Sequence, residues 1–344
     1  MSQETFDSML EEFDKNPVKT TECGKKLTTT ACVNEIVNSI MNVIALNSGE
    51  AIAEAIMPKI EQRIAKEIGI IPKRIEVVGD DGMTREVKGT THEKFKTVLN
   101  MVALDIPVYL TGKAGTGKNV ICKQVAEGLG LDFYFTNAVT QEYKLTGFID
   151  ANGRYHGTQF YDAFTKGGLF FLDEMDASVP ETLVILNAAI ANRYFDFPCG
   201  RIEANPNFRV IAAGNTFGTG ADINYTGRYS LDRASLDRFA VVKIDYSPAI
   251  EAALSDGDEE LVSFAHAFRE ATDKAGVECL FSYRTIDRVR KLAKVMTKLQ
   301  EVLEVSLTKG MDQDTKKVIQ SRLEENPQMS GNKYAIAFKA LKGE

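Results

Sequence analysis

The chain has 344 residues, 44% of them hydrophobic and 26% charged, which is enough apolar material for two or three domains. Its 48 acidic and 41 basic side chains give a net charge of −7, which argues against general nucleic-acid affinity and favours a protein partner. No apolar stretch approaches bilayer-spanning length and the opening MSQETFDSMLEEFDK is acidic and unlike a signal peptide, so a cytoplasmic protein with no membrane association is expected.

Residues 1 to about 33 are polar and rich in Thr and Lys. From Val33 to Ile70 the pattern becomes helical. Ile52, Ile56, Ile60, Ile64 and Ile68 recur every fourth residue, a stripe that drifts around a helix, and Pro58 should kink it. RIEVVGDDGMTREVK then reads as a hairpin of two short strands around Gly79 to Gly82, with Asp80 and Asp81 as turn residues. Residues 1–89 thus form a mostly helical N-terminal region closed by a hairpin.

From His92 the chain alternates helix and strand, as a parallel sheet requires. HEKFKTVLNMVAL is an amphipathic helix, followed by the strand PVYLT. The strand feeds a glycine-rich loop, Gly112, Lys113, Ala114, Gly115, Thr116, Gly117, Lys118, which opens the helix NVICKQVAEGLG. Glycines at these positions let consecutive N–H groups converge on one point, Lys118 adds a positive charge, and the helix dipole favours an anion there. The loop is a phosphate cradle. Asn119 stands where such loops carry the Ser or Thr that holds Mg²⁺, and an amide oxygen can still ligate a hard cation.

A second strand, DFYFTN, leads to GFIDANGRYHG, which reads as a hairpin with Asn152-Gly153 in a type I′ turn and Arg154, Tyr155 and His156 near its tip. GLFFLDE follows, an unbroken apolar run that delivers Asp173 and Glu174 to the carboxyl edge of the sheet, where α/β folds bind ligands. A further hairpin, RYFDFPCGRIEANPNFRV, precedes the fourth strand, FRVIAAGN, which brings Asn215 to the same edge. The arginine-rich RYSLDRASLDRF precedes the fifth strand, VVKIDY, and its Arg238 carries a planar fork suited to phosphate oxygens. Residues 90–248 are therefore read as an α/β domain with a five-stranded parallel sheet.

Residues 249–344 change period to helices: EELVSFAHAFREATDKAG, one long segment TIDRVRKLAKVMTKLQEVLEVSLTKG, and a weaker DTKKVIQSRL. Arg284 opens the second of these, an unfavourable end for a cation unless an anion lies nearby. The cysteines, Cys23, Cys32, Cys122, Cys199 and Cys279, form no C-x-x-C pair. The three histidines, His92, His156 and His266, lack the spacing of a metal pair.

The ordered set GKAGTGKN, FFLDE, AAGN, LDRF and SYR resembles the AAA+ ATPases, specifically the branch of the MoxR proteins, the cobaltochelatase small subunit and dynein-related modules. It is also similar to AAA family ATPases of bacteriophages and prophages, where Asn after the loop lysine recurs. The likeness covers roughly residues 90–300. It implies a P-loop NTPase with a helical lid, with ATP and Mg²⁺ as cofactors. Gly112 to Asn119 would be Walker A. Asp173 and Glu174 would be Walker B, with Asp173 and Asn119 at the metal and Glu174 activating water. Asn215 would be sensor 1, Arg238 an arginine finger reaching a neighbouring subunit, and Arg284 sensor 2.

The resemblance further implies a ring homo-oligomer, hexameric in this branch, that remodels or loads a protein client, with a von Willebrand factor A domain protein as a possible partner. The hairpins would then be inserts, the first facing a central pore. Two other readings stay open. One is a nucleotide-gated scaffold with weak hydrolysis; the other is a DNA-translocating motor of the MCM or McrB type, which the acidic balance disfavours.

Overall fold

A computed structural model of the protein describes residues 75–78, 84–221, 226–277 and 279–341. The chain divides into two units, 1–71 and 72–344, and every described residue belongs to the second. The isoleucine stripe, Pro58, Asp80, Asp81, Cys23 and Cys32 lie outside the described residues. The expected first hairpin is present as β1 (Ile75–Val78) and β2 (Thr84–Val87), paired antiparallel. It packs on the α/β layer, because Val87 is buried against Gly128 of the helix behind the phosphate loop.

Five strands form the parallel sheet: β3 (Val108–Thr111), β4 (Phe133–Thr136), β7 (Gly168–Leu172), β10 (Phe208–Gly214) and β11 (Ala240–Lys243). Across the sheet they run β11-β3-β10-β7-β4, so the strand that feeds the phosphate loop lies inside it and has the fourth and fifth parallel strands as neighbours. The apolar runs divide by a period of two between its faces. Val108, Leu110, Phe171, Ile211 and Ala213 pack with helices α1 (Phe95–Ala103) and α2 (Lys118–Leu129). Tyr109, Phe170, Leu172, Val210 and Ala212 pack on the other face. There they meet α4 (Gln159–Lys166) and α5 (Pro180–Asn192); the short α3 (Tyr143–Thr146) precedes them in the chain.

Both expected hairpins form: β5 (Phe148–Ile149) with β6 (Tyr155–His156), and β8 (Tyr194–Phe197) with β9 (Gly200–Glu203). The first does not use a type I′ turn. Gly153 has φ +76°, but Asn152 does not share the positive φ that turn demands. Instead Asp150 O accepts from Gly153 N at 2.9 Å, Asp150 N donates to Arg154 O, and the Asp150 carboxylate accepts from Asn152 N and Arg154 N. The aspartate's bonds to its own turn select a type I turn with glycine at the bulge. Tyr155 also departs from the expected gripping position: its hydroxyl donates to Thr146 O at 2.7 Å and its ring lies edge-on to Tyr161. The half-exposed apolar groups on this hairpin are Phe148 and Ile149, with Phe148 stacked on His156.

Beyond β11, after the short α6 (Arg233–Asp237) that precedes it, the chain is helical: α7 (Pro248–Leu254), α8 (Glu259–Ala275), α9 (Tyr283–Leu292), α10 (Leu299–Ser306), α11 (Gln313–Glu324) and α12 (Lys333–Ala340). The long segment expected from Thr285 to Gly310 is two helices. Ile286 and Val289 share one core with Val302, Leu303 and Leu307. A straight helix over that span would stretch about 39 Å and carry the later residues away from it. The final helix, α12, was not legible as a period, yet it is firmly started: Asn332 Oδ1 accepts from Tyr334 N and Ala335 N.

Candidate functional site: a phosphate loop at the edge of the sheet

Thr111 ends β3, and the loop from Gly112 to Gly117 turns the chain into α2. Two of its glycines are required by contact. A β-carbon on Gly112 would sit 2.0 Å from Ile244 O, and one on Gly115, at φ +75°, would sit 2.5 Å from Ser282 Cβ. Thr116 Oγ1 fastens the loop by donating to Lys113 O at 3.0 Å. Lys118, only 7% exposed, folds back over it, donating to Gly112 O at 2.7 Å, Lys113 O at 3.2 Å and Asn215 Oδ1 at 3.1 Å. Burial lowers the Lys118 ammonium from the ordinary 10.5 to about 8, although Asp173 and Asp176 pull the other way. A cation held among neutral carbonyls is poised to exchange them for anionic phosphate oxygens.

The buried strand β7 delivers Asp173 and Glu174 to the same edge. Asp173 is oriented from two sides: Asn119 Nδ2 donates to its Oδ2 at 2.9 Å, and Glu174 N donates to its Oδ1 at 3.0 Å. Glu174 itself adopts a left-handed backbone, φ 53° and ψ 42°. Such a conformation in a non-glycine residue costs of order 1–3 kcal/mol and is typical of functional turns. Among the described residues no group of three or more His, Cys, Asp or Glu could hold a metal by itself. The donor set still fits Mg²⁺, which is bound through one or two carboxylates and completes its shell with phosphates and water. Asp173 would supply the carboxylate. Asn119, whose NH₂ faces Asp173, has its amide oxygen left to offer.

Asn215 follows β10, and its turn is clamped by a fully buried carboxylate. Asp176 Oδ2 accepts from Asn215 N at 2.9 Å, Thr216 N at 3.0 Å and Thr216 Oγ1 at 3.0 Å. Tyr109 and Thr111 hydroxyls both donate to Thr216 O, at 2.8 and 2.9 Å. Beside this clamp lies Arg228. One of its nitrogens is 3.5 Å from Asp176 Oδ1 and another 3.4 Å from Glu174 Oε1. Sequence reading passed over both Asp176 and Arg228. Asp176 lies three residues past Asp173, and Arg228 belongs to the arginine-rich run from which only Arg238 was singled out.

The lid meets the loop directly. Tyr283 N donates to Gly115 O at 3.3 Å, Tyr246 Oη donates to Ala114 O at 3.1 Å, and Lys113 pairs with Asp273 of α8 at 3.1 Å. Between loop and lid opens a cleft of about 550 Å³. Lys118, Asn119, Asp173, Glu174, Asn215 and Arg284 all line it, so these six sequence-predicted residues are brought together. Further along, Ile250, Ala253 and Leu254 of α7 line the cleft with the backbone at Lys88 to Thr90, which Gln124 Nε2 holds by donating to Lys88 O and Thr90 O. An apolar slot rimmed by backbone polar groups suits a planar heterocycle. No signal in the sequence marked it.

Arg238 is not in this cleft. It lies exposed at the end of α6, with Nη1 donating to Ala234 O at 2.7 Å. Its surroundings are a separate groove of about 580 Å³ between α5 and α6, which shares no lining residue with the first.

Sheet order, glycine loop and acidic strand end together make an α/β fold of the P-loop NTPase kind. The family profile that matches is the AAA domain (dynein-related subfamily), over residues 107–239, from the start of β3 to just past Arg238. An uncharacterized protein of Staphylococcus saprophyticus is 25% identical over 256 residues, covering 67% of this chain and 95% of that protein. Another from Staphylococcus epidermidis is 25% identical over 263 residues, covering 70% and 97%. Among solved structures, NtrX from Brucella abortus shares 15% identity at a TM-score of 0.41, covering 72% of this chain, which spans 64% of that one. NtrX in complex with ATP shares 16% at the same TM-score, covering 84% and 74%. Among the described residues no helix is long and apolar enough to cross a membrane.

Proposed function

We propose that this chain is an ATPase of the AAA+ type. The observation that carries the reading is the convergence of Lys118, Asp173, Glu174, Asn215 and Arg284 on one cleft whose far end is apolar. ATP would lie with its polyphosphate in the glycine loop and its base between α7 and the Lys88–Thr90 backbone. Lys118 and the loop N–H groups hold the β and γ phosphates. Asp173 and Asn119 would hold Mg²⁺, whose chemistry is to neutralise charge on the phosphates. Glu174 takes a proton from the attacking water, Asn215 positions that water or the terminal phosphate, and Arg284 reports phosphate loss to the lid.

Arg238 acts in trans in this reading, because its groove is separate from the cleft of its own chain. That calls for an assembly of copies, a ring and in this branch a hexamer, acting in the cytoplasm to remodel or load a protein client. The motif resemblance to MoxR-type and phage ATPases supports a client of this kind, with a von Willebrand factor A domain protein as its form; on the first insert hairpin, exposed Arg154 and His156 with half-exposed Phe148 and Ile149 would be the groups presented to it.

Phosphate release from ATP with Mg²⁺ tests the reading. Wild type should turn over continuously. Glu174→Gln should bind nucleotide but hydrolyse about 10²- to 10⁴-fold more slowly, the usual worth of a general base. Binding without turnover in the wild type would favour the nucleotide-gated scaffold, and hydrolysis undiminished in Glu174→Gln would remove Glu174 from the chemistry.

A further inference from the structure

Arg228 belongs to none of the motifs described, yet it is 88% shielded and stands between two carboxylates of unequal setting. Asp176 is fully buried and already accepts three hydrogen bonds through Oδ2, which leaves Oδ1 facing the guanidinium alone. Glu174 is partly open to the cleft. The segment that carries Arg228 is itself tied down. Tyr229 N donates to Asp176 O at 2.7 Å, Leu231 N donates to Gly218 O at 2.9 Å, and Ser230 bridges to Thr219.

We propose, on the ATPase reading above, that Arg228 is a positioning residue for hydrolysis, its guanidinium joining the carboxylate of Glu174 to that of Asp176. Asp176 in turn holds the Asn215 turn by its backbone N–H groups, so the water-activating acid and the phosphate-sensing amide are set by one buried framework. Both guanidinium contacts, 3.4 and 3.5 Å, are longer than committed charge-assisted bonds of about 2.7–2.9 Å. The arginine is shared between the two acids. It does not line the cleft, so its effect reaches the phosphate only through Glu174 and Asn215.

This placement separates Arg228 from a phosphate-binding arginine by the way kinetics split. In the full chain, Arg228→Ala should lower kcat about 10- to 100-fold, the cost of a misplaced catalytic group, while KM for ATP changes less than about threefold. Arg228→Lys, which keeps the charge without the fork, should recover part of kcat. Combining Arg228→Ala with Asp176→Asn should restore melting temperature lost to the unpaired buried acid, without restoring kcat. Unchanged kcat in Arg228→Ala, a rise in KM at constant kcat, or recovery of kcat in the double variant would each overturn the proposal. A wild type that binds ATP without turnover would defeat the ATPase reading instead. The join is then judged on melting temperatures of Arg228→Ala, Glu174→Gln and their combination: non-additive losses support it and additive losses overturn it.

Discussion

Lys118 is costly to keep charged with no anion beside it, and that cost has a pH signature. Its folded value of about 8 lies below the ordinary 10.5, so between these pH values the folded chain holds fewer protons at this site than the unfolded chain. Its contribution to stability is therefore least favourable below pH 8 and improves as pH rises through the window. Nucleotide binding has the opposite preference, because a polyphosphate needs the ammonium. Affinity for a fluorescent ATP analogue should fall by up to about tenfold per pH unit above pH 8, and Lys118→Arg, which stays ionised, should flatten that fall. The residues that spacing could identify were those whose chemistry is local: a glycine loop, a lysine at its end, acids closing an apolar strand. Asp176 and Arg228 were illegible for a physical reason. Their partners lie 39 to 54 residues away in the chain and are met only when the segment after β10 folds back beside β7.

At the scale of elements, the contact between lid and loop rests on a buried charge cluster. Glu251 of α7 is fully buried, 2.6 Å from Arg269 and 2.5 Å from His266, both on α8. Arg269 also donates to Phe281 O at 2.7 Å and stacks 3.8 Å over Tyr246, whose hydroxyl reaches the phosphate loop. Glu251→Ala would strand a guanidinium in a dry site and should cost about 3–5 kcal/mol in urea unfolding. Burial pushes the Glu251 carboxyl upward, but the His266 hydrogen bond and the Arg269 charge outweigh it and hold it below the ordinary 4.5. Its stabilisation is thus present above pH 4.5 and is lost as pH falls below that, so Glu251→Gln should soften acid unfolding. Sequence periodicity found the inner strands β3, β7 and β10 because they are apolar runs buried along nearly their whole length, and the half-exposed edge strands β4 and β11 by their short aromatic and valine runs. It missed the break after α9 because the reversal is enforced by a shared core, with neither proline nor glycine between Ala293 and Lys298 to announce it. It missed α12 because the pattern there is short and its starting Asn332 is also an ordinary turn residue.

For the whole molecule the decisive fact is that the groove around Arg238 and the cleft between loop and lid have no lining residue in common. Asn187 Nδ2 on α5 donates to Ser235 Oγ on α6 at 2.6 Å, so the groove around Arg238 is a built surface with the guanidinium at its rim. If hydrolysis uses that guanidinium as these positions stand, it would come from a second copy that sets its α5–α6 groove against this cleft. An arginine supplied in trans is worth about 10³- to 10⁵-fold in P-loop enzymes, so Arg238→Ala should be nearly inactive, as should Glu174→Gln. Mixing the two silent variants separates the alternatives. An Arg238→Ala subunit keeps its own glutamate, and a Glu174→Gln neighbour can lend it an arginine. With random assembly in equal amounts, about a quarter of junctions have this order, so phosphate release should return to about a quarter of the wild-type rate at concentrations that favour assembly, and fade on dilution. An arginine that served its own chain would leave the mixture as inactive as its parts, because no subunit in it carries both groups.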